Sequence, residues 1–185
     1  MKVQKQQTDE LAKIGELLKH IKVGMLVTID EEGMLRSRPM QTLELDAEGR
    51  IWFFTSASSP KVKETHAHAY QVNLSYSDPH KQNYLSLSGT AHVERDRAKM
   101  EELYTPWVKF WHSQGLDDPD VALLCVEIEK AEYWAAPDGA VRRMMAFAKV
   151  LTTGDKRDIG DNEKMAVRPM SAQSDMRDAQ SKTQR

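Results

Sequence analysis

The sequence lacks the features that mark several protein classes. It contains a single cysteine, Cys125, so it can form no internal disulfide and no cysteine-based zinc site, as is usual in a reducing compartment. It has no run of about 18 apolar residues, the length that a membrane-spanning helix needs. Residues 1–10 are polar and lack the apolar segment of a secretion signal. We therefore expect a cytoplasmic protein with no membrane partner.

A surplus of either charge is also missing. The chain has 26 Lys and Arg residues against 28 Asp and Glu residues, a formal net charge of -2. Nucleic-acid-binding domains normally carry a basic surplus, so we expect no nucleic-acid partner. Hydrophobic residues make up 40% and charged residues 29% of the sequence. This composition and a length of 185 residues are typical of one ordinary globular domain.

The C-terminal part is poor in residues that build a core. No aromatic residue follows Phe147, and residues 154–185 contain few large apolar side chains among many charged ones. Such a stretch cannot bury enough surface to offset the entropy lost on ordering. The sequence predicts one domain over residues 1–153, with some helix around 141–151, and a polar, mobile tail over residues 154–185.

Strand and helix patterns fill the rest of the chain. Alternating or apolar β-prone segments predict six strands, at Val23–Ile29, Met34–Leu45, Ile51–Thr55, Gln71–Tyr76, Tyr84–Glu94 and Val121–Trp134. Helical spacing predicts helices at Thr8–His20, Pro60–Ala69, Arg97–Tyr104 and Pro106–His112. Tight turns between the first three strands favour antiparallel pairing. The sequence therefore predicts a mostly β fold, a six-stranded antiparallel barrel with flanking helices.

The loop before the second predicted helix has the chemistry of an anion site. Thr55 ends a strand, Ser59 stands at the helix N-cap and Pro60 occupies the first helical position. Free N–H groups and the positive end of the helix dipole attract an anion there. Lys61 in the first turn is unfavourable for the dipole unless an anion offsets it. The alternatives are a phosphate site and a plain capped helix with a solvated lysine.

A second cationic motif lies inside a predicted strand. Arg36 and Arg38 are two residues apart, so their side chains point the same way, and the strand's own partners cannot easily neutralise both. Pro39 cannot donate to a sheet ladder, which places this segment at an edge, a bulge or a barrel rim. Paired guanidinium groups suit a phosphate or an electron-rich ring. An exposed strand face with two solvated arginines is the alternative.

The remaining candidates have ordinary structural interpretations. The six histidines are scattered along the chain, and we predict no metal site. Trp107 and Trp111 form an i, i+4 pair, which favours a place in the core or a subunit interface over a ligand lid. Cys125 lies in an apolar strand and is expected to be a small core residue rather than a nucleophile.

Five segments in this order resemble the pyridoxamine 5′-phosphate oxidase-like superfamily, and within it the bacterial general stress protein branch with an FMN-binding split barrel. They are Gly24–Thr28, Arg36–Met40, Ile51–Thr55, Ser59–Val62 and Tyr84–Ala91. The resemblance covers roughly residues 11–137. It implies a split β-barrel that pairs with a second copy of itself and binds FMN in the groove between the two subunits.

The resemblance also assigns flavin-binding roles residue by residue. Ser59 and Lys61 match the serine and lysine that hold the phosphate, in agreement with the helix-start argument. The full set of expected cofactor-binding residues is Arg36, Arg38, Pro39, Met40, Phe54, Thr55, Ser59, Lys61, Tyr84 and Trp134. Pro60 stands where the oxidase usually has an arginine, and Tyr84 where it has a glutamine, so two contacts are changed. No catalytic residue is assigned.

The departures bear on activity. The true oxidase carries a C-terminal arginine-bearing segment that holds its substrate, and residues 141–144 are basic but otherwise unlike it. We therefore do not expect vitamin B6 oxidation. Two functions stay open: an FMN-dependent oxidoreductase of unknown small-molecule substrate, and a non-catalytic protein that binds or sequesters flavin. A related barrel that binds haem or a deazaflavin is a third, weaker alternative.

Overall fold

The structure, a computed structural model, describes residues 1–67, 70–106, 108–135 and 161–167. These residues form nine strands: β1 (Lys2–Val3), β2 (Val23–Ile29), β3 (Leu35–Gln41), β4 (Glu44–Leu45), β5 (Arg50–Ser56), β6 (Gln71–Asp78), β7 (Asn83–Glu94), β8 (Val121–Ala135) and β9 (Asp161–Ala166). The helices are α1 (Asp9–Leu18), α2 (Pro60–Ala67), α3 (Arg97–Glu102), α4 (Val108–Trp111) and a 3₁₀ turn at Gly115–Asp117.

One sheet contains all nine strands. The order is β1-β4-β5-β8-β7-β6-β2-β3, and β9 pairs with β8 beside this path. Since β3 lies at one end and β4 near the other, the short link between them requires the sheet to curl round and bring its ends together. No ladder joins β3 to β5 in the described part of the chain, so the curled sheet is not closed.

The mostly β fold with flanking helices is confirmed and is consistent with a split barrel, but the count of six strands is wrong, since the described residues form nine. The predicted strand Met34–Leu45 is two strands, because its hydrogen-bond partner changes between Thr42 and Leu43. The N–H of Thr42 donates to the carbonyl of Lys22 at 2.9 Å, whereas the N–H of Leu43 donates to the carbonyl of Trp52 at 2.9 Å. The chain thus leaves β2 and joins β5. The pairing of β1 with β4 is parallel, so the sheet is not wholly antiparallel.

A strand also lies within the tail that was expected to be mobile. Asp161–Ala166 pairs antiparallel with Lys130–Ala135 of β8, and Met165 and Val167 pack against the core. Two apolar residues with alternate spacing were too weak a signal to predict this strand. The predicted helix around 141–151 lies outside the described residues, and so does the proposed boundary at 153.

Helix α1 forms as its sequence predicts. The Thr8 hydroxyl caps it by accepting from the N–H of Leu11, and the apolar face buries Leu11, Ile14, Leu17 and Leu18. These side chains join the alternating inward residues of β6, β7 and β8 in the main core. Gly89 marks a bulge in the β7–β8 ladder, where a Cβ would lie 1.9 Å from the Glu127 carbonyl oxygen.

A second apolar cluster positions the short helices. Leu103 and Val108 pack with Trp52 of β5 and Leu123 of β8, on the opposite face of the sheet from α1. This packing places α4 near the C-terminal end of β5, and α2 begins only four residues after that strand.

Among the described residues, every helix is too short or too polar to span a membrane.

Candidate functional site

A cavity of about 400 Å³ opens where the edges of β3 and β5 face each other without pairing. Its walls come from the start of β2, the end of β3, the end of β5, α2 and the α4 region. The lining residues are Val23, Pro39, Met40, Gln41, Leu43, Phe54, Thr55, Ser56, Lys61, Thr105, Val108, Trp111 and His112. Apolar side chains make up one part of the wall, and hydroxyls and cationic or titratable groups make up the rest.

Lys61 is the charged residue of this cavity. Its side chain is half-buried, and no carboxylate of the described residues lies within salt-bridge distance of it. Burial lowers the pKa of Lys61, and the nearby Arg38 guanidinium lowers it further, because both disfavour the ammonium form. Such a group is stabilised when an anion enters the cavity beside it. The anion-site interpretation of this lysine is therefore physically consistent with its surroundings.

Hydroxyl groups surround the start of α2. Thr55 and Ser56 line the cavity, and the Ser59 hydroxyl lies 3.5 Å from that of Thr55. The Ser59 carbonyl accepts from the N–H of Val62 at 3.0 Å, as expected at the start of a helix. In the described contacts, however, the Ser59 side chain meets Thr55 rather than a helix N–H. Ser59 therefore lies beside the predicted phosphate position without acting as the side-chain cap.

The loop before α2 is held from the start of β8. The Asp120 carbonyl accepts from the N–H of Ala57, and the Asp120 carboxylate accepts from the N–H and the hydroxyl of Ser58, each at 2.8 Å. The two hydrogen bonds from Ser58 lower the pKa of the Asp120 carboxyl. The loop directly after Ser56 is thus anchored before any ligand enters, and its backbone has little freedom to lose on binding.

Arg38 is not the free cation that its strand position indicated. Glu64 of α2 binds the guanidinium through two oxygens, at 2.8 and 2.7 Å, and Thr28 accepts a further hydrogen bond at 2.7 Å. The Arg38 partner lowers the pKa of Glu64. The counter-ion of Arg38 thus comes from α2 and not from a neighbouring strand, and the sequence did not predict it because only the packing of α2 brings this carboxylate over the strand.

The other predicted residues divide into two groups. Pro39, Met40 and Phe54 line the cavity, and Pro39 lies on the edge strand β3 as its chemistry predicted. Arg36 is exposed, and its Nη1 lies 3.9 Å from Oδ2 of Asp30. Tyr84 and Trp134 are cross-strand neighbours on β7 and β8, both partly exposed, and neither lines the cavity.

Trp111 and His112, at the end of α4, were not among the predicted cofactor-binding residues. Trp111 lines the cavity although 78% of it is exposed, so it does not lie in the core of this chain, and its alternative place in a subunit interface stays a prediction; Trp107 lies outside the described residues. His112 is 5% exposed, lines the cavity, and has Nδ1 at 3.2 Å from Asp118 Oδ2. No local motif marks this pair, since the packing of α4 against the following 3₁₀ turn decides the contact.

Comparison with known proteins gives one family and several relatives. The chain matches the sequence profile of the family described as "Pyridoxamine 5′-phosphate oxidase like" over residues 9–158, a range that includes every element lining the cavity. The protein bli-3 of Neurospora crassa is 27% identical over 143 residues, which are 72% of this chain and 68% of that protein.

Two solved bacterial structures are similar in fold. A putative general stress protein 26 from Jannaschia sp. CCS1 superposes with a TM-score of 0.64 and 26% identity, over 82% of this chain and 94% of that one. A general stress FMN/FAD binding protein from Xanthomonas citri superposes with a TM-score of 0.59 and 29% identity, over 71% and 93%.

Proposed function

Because the chain belongs to the pyridoxamine 5′-phosphate oxidase-like family, we propose that it binds FMN in the cavity between β3 and β5. We further propose that it is a flavin-dependent oxidoreductase of the general stress protein branch, from a bacterial cytoplasm, with an unidentified small-molecule substrate. The similarity to a general stress FMN/FAD binding protein supports a flavin ligand.

The half-buried, unpaired ammonium of Lys61 is the observation that carries this proposal. It stands beside the hydroxyls of Thr55 and Ser56, which suits a phosphate monoester on a short arm. Met40 and Phe54 offer an apolar wall for a planar ring. A volume of about 400 Å³ lies within the usual range for small-ligand sites. The residues present therefore fit FMN, with the phosphate at Lys61 and the ring toward β3.

Bound flavin supplies the redox chemistry in such proteins, and the protein's residues bind it and tune its surroundings. Here Lys61 would fix the phosphate, the anchored loop at Ser56 would orient it, and the exposed Trp111 would border the opening. None of these residues is assigned to proton transfer. The second candidate is a non-catalytic flavin-binding protein. A ring covered by the apolar wall and by the exposed Trp111 would favour this second candidate.

A homodimer is part of the proposal. The outer sheet face carries the small residues Ser75, Ser77, Ser86 and Ser88, with exposed Met25, Tyr84 and Trp134 around them. A second copy docked there would bury these apolar side chains and could bring Tyr84 and Trp134 toward the partner's cavity, where the resemblance expects them. Symmetric pairing would give two equivalent sites.

Titration of the purified protein with FMN, FAD, riboflavin and haem tests the ligand. We expect FMN to bind more tightly than riboflavin and haem not to bind. Rapid reduction of the bound flavin by a nicotinamide donor would favour the oxidoreductase, whereas slow reduction with tight binding would favour the non-catalytic protein. Preference for haem, or equal affinity for FMN and riboflavin, would contradict the assignment.

Sedimentation analysis with and without FMN tests the assembly. A dimer is expected at all working concentrations. A monomer with one fully bound FMN would show that the cavity of one protomer suffices.

A further inference from the structure

His112 and Asp118 form a polar pair at the cavity that the flavin assignment leaves unused. The His112 side chain is almost fully buried, and its Nδ1 lies 3.2 Å from Asp118 Oδ2. Asp118 is itself fixed, because its other oxygen accepts from the N–H of Asp120 at 2.9 Å. The described residues offer no hydrogen bond to Nε2, the second ring nitrogen. Since His112 lines the cavity, Nε2 is the polar atom that it can offer to a ligand.

His112 and Lys61 line the same cavity. Asp120 is related to both of them. Its backbone N–H donates to Asp118, the partner of His112, and its carboxylate holds Ser58 in the loop before α2. The Asp120 carboxylate also acts on the Lys61 ammonium. The imidazole and the ammonium that we assign to the phosphate therefore border one cavity and share Asp120 as a neighbouring residue.

The charged groups on the segments that carry the imidazole or border its cavity can be named by element. Asp118 follows the 3₁₀ turn, Asp120 precedes β8, Lys61 belongs to α2 and Lys109 lies one turn earlier on α4. The Asp118 carboxylate only accepts hydrogen bonds, so Nδ1 carries a hydrogen in both charge states. Neutral His112 would then present a lone pair at Nε2, which repels a phosphate oxygen. Protonated His112 would present an N–H donor, which attracts it.

We propose that His112 is the second cationic ligand of the phosphate group, and that it takes up a proton when that phosphate binds. This inference rests on the proposed flavin function. His112 thereby supplies a charge-assisted contact at a site whose helix start carries Pro60, a residue with no donor of its own. The consequence is a flavin affinity that rises with acidity for the phosphorylated ligand alone.

Calorimetric titration with FMN and with riboflavin, between pH 8 and pH 6.5 and in two buffers of different ionisation enthalpy, tests the proposal. Wild-type protein should favour FMN over riboflavin increasingly as the pH falls, and binding of FMN should take up protons. Riboflavin binding should take up none. The phosphate of FMN itself would release protons on meeting cations, so uptake is the sign that identifies a protein group.

The variant His112→Gln should lose about ten-fold in FMN affinity at the acidic end, keep its riboflavin affinity, and take up fewer protons than the wild type. His80→Gln, an exposed histidine in the turn between β6 and β7, is the matched control and should behave as wild type. Asp118→Asn frees the imidazole to carry its hydrogen on Nε2 when neutral, and should flatten the pH dependence.

The outcomes separate this inference from the flavin assignment. If wild-type protein binds no FMN, the proposed function fails. If it binds FMN well but His112→Gln matches the wild type in affinity and proton uptake, His112 is not a phosphate ligand and the flavin assignment stands. Equal losses for FMN and riboflavin would show that His112 only supports the fold, which also overturns the proposal.

Discussion

Two cationic side chains lie within one turn of each other along helix α2, one belonging to the helix and the other bound to it. Their electrostatic surroundings differ completely. Arg38 is bound by both oxygens of Glu64 and by Thr28, and this ion pair does not line the cavity. Lys61, three residues before Glu64, lines the cavity, and no carboxylate of the described residues lies within salt-bridge distance of it, although Glu64 and Asp120 act on it from farther away. A cation near a site is therefore a candidate ligand where the fold gives it no close counter-ion. By this criterion Arg38 is a structural residue and Lys61 is the candidate ligand.

The largest expected effect is on stability at the compensated pair. Arg38→Met should lower the free energy of unfolding by about 3 kcal/mol, because it leaves the nearly buried Glu64 carboxylate without its counter-ion. Denaturant unfolding measures this. Arg36→Met removes an exposed arginine from the same strand and should change stability by less than about 0.5 kcal/mol. A stable Arg38→Met protein that no longer binds FMN would show that Arg38 is a ligand, as the resemblance implied.

The next largest effect is expected on FMN binding at Lys61. Lys61→Met should weaken FMN binding by about ten- to a hundred-fold, corresponding to roughly 1.5–3 kcal/mol, and leave riboflavin binding unchanged. Stability should not fall, because the variant removes a half-buried charge that has no carboxylate of the described residues within salt-bridge distance. Lys63→Met, an exposed lysine on the same helix, is the control. Equal losses for the two ligands would move the phosphate away from Lys61.

Acidification should remove the stability that the ion pair between Arg38 and Glu64 contributes. The pKa of Glu64 is below its ordinary value of 4.5 in the folded state, chiefly through Arg38, so the folded protein holds this carboxylate ionised more readily than the unfolded chain. Its contribution is present in full above about pH 4.5 and is lost as the pH falls through the lowered pKa. Wild-type protein should therefore lose its stability advantage over Glu64→Gln on acidification below that value. A constant difference down to pH 2.5 would mean that ionised Glu64 is not what stabilises the pair.

The smallest effect is expected from the C-terminal segment. A chain ending at Thr153 lacks β9, which pairs with the far part of β8 and contributes none of the described residues that line the cavity. Stability should fall modestly, because the backbone of residues 130–135 loses its partner strand, and FMN affinity should stay within a few-fold of the full chain. Titration at two salt concentrations measures this. A loss above ten-fold that shrinks at high salt would favour a phosphate contact from Arg168 or Arg177.

Short-range patterns were sufficient for several features of the fold and the site. The Thr8 hydroxyl cap and the spacing of Leu11, Ile14 and Leu18 specify α1 within one helix. The alternation in β7 specifies which of its side chains face the core. Lys61 was recognised as an anion ligand candidate because its unfavourable position in the helix dipole is visible in the sequence itself. Each of these depends on residues a few positions apart.

The tertiary structure alone decided the rest. Arg38 and Glu64 are 26 positions apart, and only the packing of α2 on the sheet brings them together. The division of residues 34–45 into two strands depends on which neighbouring strand offers a carbonyl to Thr42 and Leu43. His112 reaches the cavity because α4 packs on β5 and β8. A residue's type and local spacing determine which groups it can bind. Whether another protein group already binds it depends on segments distant in the sequence, because the packing of the whole core decides which of them lie beside it.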